Sequence, residues 1–371
     1  MVTASLSVKP PRAYLSPGFN VANATASPWD KFCAGVWEPY TFELLDSLLS
    51  SQQNAVFLDV GAYVGPLSLY AASLNATVFA VEADVDNFGS LLANVGVNAA
   101  ELRDRISTHL LAVSDVSAMV RMSKPDTRTS AVSTASGSPC AVSILESTRS
   151  AGADVEDTPR SSGASRQWWT VPSVAFPEYL RQLLQTSGSG GSFSRTRPFV
   201  ISMDIEGAEV EALQSAFAML SATAPSSRPP LILEMHPGFF SHEGAARARY
   251  VAATCRVLAL YRKLYFLGRD HQPRCEEQRT NDERYECHWP AVLAEFESVH
   301  HLATFMMDTT QDAFMLHAVH STDQHRRPLT HTEFKAPVPA LSIGEAHRIE
   351  LEERHGLHLR TLYGARLVDT R

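Results

Sequence analysis

The chain has 371 residues, 44% of them hydrophobic and 19% charged, and its 32 Lys plus Arg stand against 40 Asp plus Glu for a formal net charge of -8. So long and apolar a chain buries one large core or two modest ones, which excludes wholesale disorder, and its acidic balance gives no footprint for gripping a phosphate backbone, which excludes nucleic acid as principal partner. Five scattered cysteines make no disulfide framework, and no apolar run approaches the roughly 18 to 20 residues of a membrane-spanning helix.

Taken from its start, the chain lacks the charged-then-apolar pattern of a secretory signal, so a reducing, cytoplasmic setting is expected. Residues 1–29 carry only Lys9 and Arg12 before the first acid, Asp30. They read as part of a flexible N-terminal segment, residues 1–35, with an organelle transit segment as the alternative. Ala55-Val-Phe-Leu58 is a short buried strand that stops at Asp59, and beyond Gly65 and Pro66 the positions Leu67, Tyr70, Ala71 and Leu74 recur at helical spacing. Thr77 to Val81, ended by Glu82, is a second strand, followed by a helix carrying Phe88, Leu91, Leu92 and Val95. Ile106 to Val113 supplies a third strand and Ala118 to Met122 a short fourth.

From 123 to 165 the pattern dissolves into small and polar residues, with eleven serines, and reads as a low-complexity insertion that is mostly loop. Strand character returns at Phe199–Met203, then a helix is expected over Ala208–Leu220 with Val210, Leu213, Phe217 and Leu220 on one face. Leu231–Glu234 is another strand, Gly244–Leu264 a long helix, and Asp312–Val319 the last strand. Beyond Ser321 lies a C-terminal extension whose clearest element is a helix from Ser342 to Gly356, begun by the capping-box pair Ser342 and Glu345. Strand and helix alternate in this way only if the strands lie parallel with right-handed crossovers. The expectation is one domain over 36–320, a Rossmann-like, doubly wound α/β fold whose sheet is mostly parallel with one late antiparallel strand.

The segment Asp59-Val-Gly-Ala-Tyr-Val-Gly65 places two glycines at a strand-to-helix turn, where the backbone can approach a ligand and a helix N-terminus offers unpaired N–H groups. Asp59 would repel a pyrophosphate and favour a cationic amine or sulfonium, which argues against NAD. Glu82 follows 23 residues later at the end of the next strand, where doubly wound folds place an acid that accepts both ribose hydroxyls.

The set FLDVGAYVG (57–65), VFAVEAD (78–84), LLAVSD (110–115), SMDIEGAEVEAL (202–213) and LILEMH (231–236), preceded by Gly35-Val-Trp-Glu-Pro39, resembles the FkbM-type family of S-adenosylmethionine-dependent methyltransferases. The resemblance covers about residues 35 to 240 and extends faintly to 320. It implies that Asp59, Gly61 and Gly65 cradle the methionine side of S-adenosylmethionine, that Glu82 clamps the ribose, and that Ser114 and Asp115, ending the third strand, lie beside the adenine. One departure is Ser202, where the family commonly has Lys.

Asp204 and Glu206 close one strand and Glu234 and His236 the next, so all four should gather at the carboxyl edge of the sheet, where ligands bind in such folds. Methyl transfer requires alignment of donor and acceptor and removal of the acceptor's proton; His236 is a candidate base and Asp204 the competing one. The same carboxylates could instead hold Mg²⁺. Glu209 reads as an acid that begins a helix. His271, Cys275, Cys287 and His288 lack a CxxC pair and read as an ordinary loop, so no metal ligand is assigned. Trp168, Trp169, Tyr261, Tyr265 and Phe266 are core or lid candidates. The function expected is transfer of a methyl group to a hydroxyl of a small molecule or glycan. The alternatives are a degenerate fold acting as a binding module and, more weakly, an NAD-dependent oxidoreductase. No feature sets the oligomeric state.

Overall fold

The computed structural model describes residues 6–8, 19–22, 29, 38–49, 54–125, 143–147, 166–186, 191–193, 198–237, 245–269, 274–276, 286–288, 291–308, 314–320 and 330–333. Helix α1 (Pro39–Leu49) leads into β1 (Val56–Val60), and the chain alternates through α2 (Pro66–Ser73), β2 (Thr77–Glu82), α3 (Val85–Gly96), the short α4 (Ala100–Arg103) and β3 (Ile106–Leu110). Four further strands follow, β4 (Ala112–Ser114), β5 (Ala118–Pro125), β6 (Ser143–Ser147) and β7 (Arg166–Ala175). Next come α5 (Phe176–Thr186), β8 (Phe199–Met203), α6 (Glu209–Ser215), α7 (Phe217–Ala222) and β9 (Leu231–Met235). Further along come α8 (Ala245–Leu258), β10 (Lys263–Arg269), β11 (Ala291–Glu295), α9 (Val299–Asp308), β12 (Phe314–Val319) and β13 (Thr330–Glu333).

The central sheet has nine strands in the order β13-β11-β10-β12-β9-β8-β1-β2-β3. Strands β3, β2, β1, β8 and β9 pair in parallel, and β12 lies antiparallel against β9, as the sequence leads one to expect for this Rossmann-like α/β architecture. Strand β1 is buried along its whole length because helices cover both faces of a parallel sheet. One face carries Phe176, Leu180, Leu184, Leu213 and Leu258, and the other carries Leu45, Leu49, Leu69, Tyr70 and Leu91. Local signals place the helices: Gly65, at φ 97°, turns the chain into α2 with Pro66 in its first turn, and the Asp84 side chain caps α3 by accepting from the Asp86 and Asn87 amides.

Several expectations are corrected. The single strand expected over 106–113 is two: β3 stays with β2, and after Leu111 the chain enters a separate four-stranded sheet of order β4-β7-β5-β6, because β4 pairs with β7. The region expected to be loop from 123 therefore holds the end of β5 and all of β6; the rest of it, 126–142 and 148–165, lies outside the described residues. The helix expected over 208–220 is broken at Ala216, whose amide is shared between the Ala212 and Leu213 carbonyls, so α6 and α7 are separate. The helix expected over 244–264 stops at Leu258. Lys263 onward is strand β10, which fills the sheet between β11 and β12.

At the N-terminus, part of the segment expected to be flexible is packed: Phe19, Val21 and Trp29 are buried, and the Asn20 and Ala22 amides donate to the side chains of Asn98 and Asn94. The sheet also outlasts the expected boundary at 320, since β13 pairs with β11. Cys275 and Cys287 fall opposite each other in a short antiparallel ribbon rather than in a plain loop. The helix expected over Ser342–Gly356 and the stretch Gly35–Trp37 lie outside the described residues.

Candidate active site at the carboxyl edge of the sheet

The glycine turn and Glu82 are tied into one unit. The Gly61 and Ala62 amides donate to the Val81 carbonyl at 2.9 and 2.8 Å, and the Tyr63 amide donates to Glu82 Oε2 at 2.7 Å. The Asp84 amide donates to Glu82 Oε1, also at 2.7 Å, so both carboxylate oxygens are fixed and each keeps lone-pair capacity for a ligand. Tyr63 holds this turn at φ 53°, a strained value for a non-glycine residue. Burial is the main cause that pushes Glu82 up to about 7, against the lowering effect of its backbone donors.

Gly61 is required for a reason the sequence did not reveal. At φ +87° a Cβ on it would stand 1.8 Å from the carbonyl oxygen of Asp204, so the residue is small because the chain after β8 presses on the turn. A Cβ on Gly65, at φ +97°, would meet Leu91 at 2.6 Å. Asp59, buried on β1, accepts a hydrogen bond from the Ser68 hydroxyl at 2.6 Å, and burial pushes its carboxyl up to about 6. The residue opposite it on β8 is Ser202, itself buried, so the strand position beside Asp59 carries no charge.

Beyond β8 the loop Asp204-Ile-Glu-Gly-Ala-Glu209 folds around one side chain. Glu206 and Gly207 both take positive φ, 55° and 101°, and this reversal points the Ile205 and Gly207 amides at Glu209 Oε1, each at 3.0 Å. Glu209 is fully buried and its Oε1 also contacts His236 Nδ1 at 3.1 Å. The expectation that Glu209 merely opens a helix is therefore incomplete. It closes the loop and holds the imidazole.

His236 follows β9 directly. Its backbone amide donates to the Tyr250 hydroxyl at 2.9 Å, and its Nε2 faces Glu206 Oε2 at 3.4 Å and Asp204 Oδ1 at 3.7 Å. Burial lowers the basicity of the ring, but the Glu209 hydrogen bond and the charges of Glu209, Glu234 and Glu206 outweigh it, so His236 keeps its proton above the usual range. Asp204 is raised well above the carboxylate range, by burial first and then by Glu234, Glu206, Glu209 and Glu38. Glu206 is pushed up to about 7, chiefly by burial.

The edge thus brings together Asp204, Glu206, Glu234 and His236, as the strand ends imply, and adds three residues to which the sequence assigned no place in the site. Glu209 and Tyr250 hold His236. Glu38, at φ 41° just before α1, joins the same group: burial and then the charge of Glu234 push its carboxyl up to about 8. Glu38 was legible in principle, since it lies in the Gly35–Pro39 segment; Tyr250 was not, because in sequence it is one apolar position of a helix. Ser114 and Asp115 do not end the third strand of the central sheet. Ser114 is buried on β4 with its hydroxyl engaged by Ser173 at 2.8 Å and the Val116 carbonyl at 3.0 Å, and Asp115 is exposed. Among the described residues no helix is long and apolar enough to cross a membrane.

No protein-family profile matches the chain, and no curated protein matches its sequence. Among solved structures it is similar to precorrin-6y C5,15-methyltransferase from Geobacter metallireducens GS-15, at 12% identity and a TM-score of 0.32 over 82% of this chain and 94% of that one. It is also similar to the glycopeptide N-methyltransferase MtfA complexed with sinefungin, at 8% identity and a TM-score of 0.27 over 76% and 86%. A third is the precorrin 8w decarboxylase of Methanobacterium thermoautotrophicum, at 11% identity and a TM-score of 0.31 over 75% and 88%. At such values the function is argued from the site itself.

Proposed function

We propose that the protein is an S-adenosylmethionine-dependent methyltransferase acting on a hydroxyl oxygen of a small molecule or glycan. The observation that carries this reading is the concentration of acidic side chains at the strand edge. Glu38, Asp59, Glu82, Asp204, Glu206, Glu209 and Glu234 all lie at or beside it, and among the described residues no Lys or Arg makes an ion pair with any of them. A cationic ligand fits such a site and a pyrophosphate does not. The fixed oxygens of Glu82 suit a ribose diol, and Asp59 and Glu38 suit the amine and sulfonium side. The FkbM resemblance, carried by the DxEGxE loop and the strand ends, supports the same assignment.

When bound, S-adenosylmethionine supplies an electrophilic methyl group and leaves as S-adenosylhomocysteine. The residues of this chain orient the donor through Glu82 and the Asp59–Gly65 turn, receive the hydroxyl beside Asp204, Glu206, Glu234 and His236, and take up its proton there. Glu206, raised to about 7, is matched to proton exchange near neutral pH. Calorimetry with S-adenosylmethionine, S-adenosylhomocysteine and NAD tests the reading: heat with the first two and none with NAD is expected. Heat with NAD alone would sink it, and binding without turnover over a panel of hydroxyl acceptors would favour a binding module.

A further inference from the structure

The hydrogen bonds of Glu209 are distributed unevenly. Oε1 receives the Ile205 amide, the Gly207 amide and the contact from His236 Nδ1, whereas Oε2, in a side chain with no exposed surface, has no hydrogen-bond partner among the described residues. Asp204 Oδ1, 3.7 Å from His236 Nε2, is a buried atom of a half-exposed side chain and also has no hydrogen-bond partner among the described residues. Leaving a polar oxygen buried and without a hydrogen bond is costly, and two of them meet here.

The spacing is that of a coordination shell. One atom from each of Asp204, Glu209 and His236 lies within 4.8 Å of the others. Nε2 stands 3.7 Å from Asp204 Oδ1 and 3.4 Å from Glu206 Oε2. Both are wider than a good hydrogen bond; two donors sharing a cation at bonds of about 2.1 Å stand roughly 3.0 to 3.5 Å apart, a spacing that Glu206 meets and that Asp204 Oδ1 reaches by closing in a few tenths of an ångström. The carboxylate on Nδ1 is the partner that fixes a metal-binding imidazole with Nε2 outward. We propose that Asp204, Glu206 and His236, through Nε2, hold one divalent cation, with Glu209 on Nδ1 positioning the imidazole. Carboxylate oxygens with a single imidazole and no thiolate suit Mn²⁺ or Mg²⁺. The inference deepens the methyl-transfer reading at its acceptor side, where a cation would draw the hydroxyl oxygen in and acidify it; it does not depend on the identity of the methyl donor.

The test is titration of the chelator-treated full chain with Mn²⁺, followed by the electron paramagnetic resonance signal of the free ion. One Mn²⁺ per chain is expected, with affinity at least tenfold weaker in Asp204→Asn and His236→Gln and unchanged in Glu101→Gln, an exposed acid on α4. Glu209 also closes the loop, so Asp204→Asn, at a half-exposed position, is the variant that decides. No uptake by the unaltered chain, or equal uptake by Asp204→Asn, overturns the proposal. Calorimetry with S-adenosylhomocysteine on the metal-free protein separates the two readings. Heat without Mn²⁺ uptake leaves the donor site standing and removes the cation, and Mn²⁺ uptake without heat does the reverse.

Discussion

Glu209 and His236 are 27 residues apart in the chain and 3.1 Å apart in space, carboxylate oxygen to Nδ1. This contact joins the loop after β8 to the end of β9 and turns Nε2 toward Glu206 and Asp204. Because the same oxygen accepts the Ile205 and Gly207 amides, loop and imidazole are held by one atom.

Replacing Glu209 by Ala leaves those buried donors unpaired, and a loss of about 2 to 3 kcal/mol in unfolding free energy is expected. Urea melts of Glu209→Ala and of Glu209→Gln, which keeps an oxygen, measure it. Equal stability of Glu209→Ala and the unaltered chain would show that the loop closes without this side chain.

Gly61→Ala and Gly89→Ala should change stability in opposite directions. The first forces a Cβ onto the Asp204 carbonyl at a positive φ and is expected to destabilise by more than about 2 kcal/mol. The second lies exposed in the middle of α3 with nothing near its added Cβ, and should stabilise by about 0.5 to 1 kcal/mol. Paired thermal melts read both signs at once.

Glu82→Ala is expected to weaken S-adenosylhomocysteine binding by roughly 1 to 3 kcal/mol, the scale of charge-assisted hydrogen bonds. Since Glu82 also anchors the Tyr63 and Asp84 amides, the titration must be made on protein shown to be folded by its melt. Unchanged affinity in such protein would remove Glu82 from the site.

Asp204→Ala and His236→Ala should separate binding from chemistry. With an acceptor in hand, turnover is expected to fall by about 10² to 10⁴ while S-adenosylhomocysteine affinity stays nearly intact. Full activity in both variants would place acceptor activation elsewhere.

The pH dependence of stability has a definite sign. Asp59, Glu82 and Glu38 keep their protons in the folded chain up to about 6, 7 and 8, chiefly through burial, whereas an unfolded chain loses them near about 4. Between those values the folded state binds more protons, so stability is greatest on the acid side and is lost as pH rises through the folded values. In ligand-free, chelator-treated protein the melting temperature should therefore fall from about pH 5.5 to about pH 8.5, and S-adenosylmethionine should flatten the slope by favouring the ionised carboxylates. A melting temperature that rises over this range would contradict the burial of these acids.

What the sequence determined by itself is the alternation of short apolar strands with amphipathic helices, and with it the parallel sheet. Each of those signals is local: Ala55–Leu58, Thr77–Val81 and Phe199–Met203 declare themselves through continuous apolar runs bounded by turn residues. It also placed Asp59, Glu82, Asp204 and His236 at strand ends, because strand alternation and chain order suffice for that. Only the tertiary structure decided what depends on contacts between distant segments. Whether residues 112–114 continue β3 or leave it is settled by pairing with β7, some sixty residues on, and whether Lys263 onward is helix or strand is settled by the gap between β11 and β12. The reason Gly61 must be glycine is a carbonyl on another strand's loop, and the partner of Glu209 is a histidine on a third segment. Such contacts leave no local pattern, since they are made by backbone approach and by the convergence of loops at one edge of the sheet.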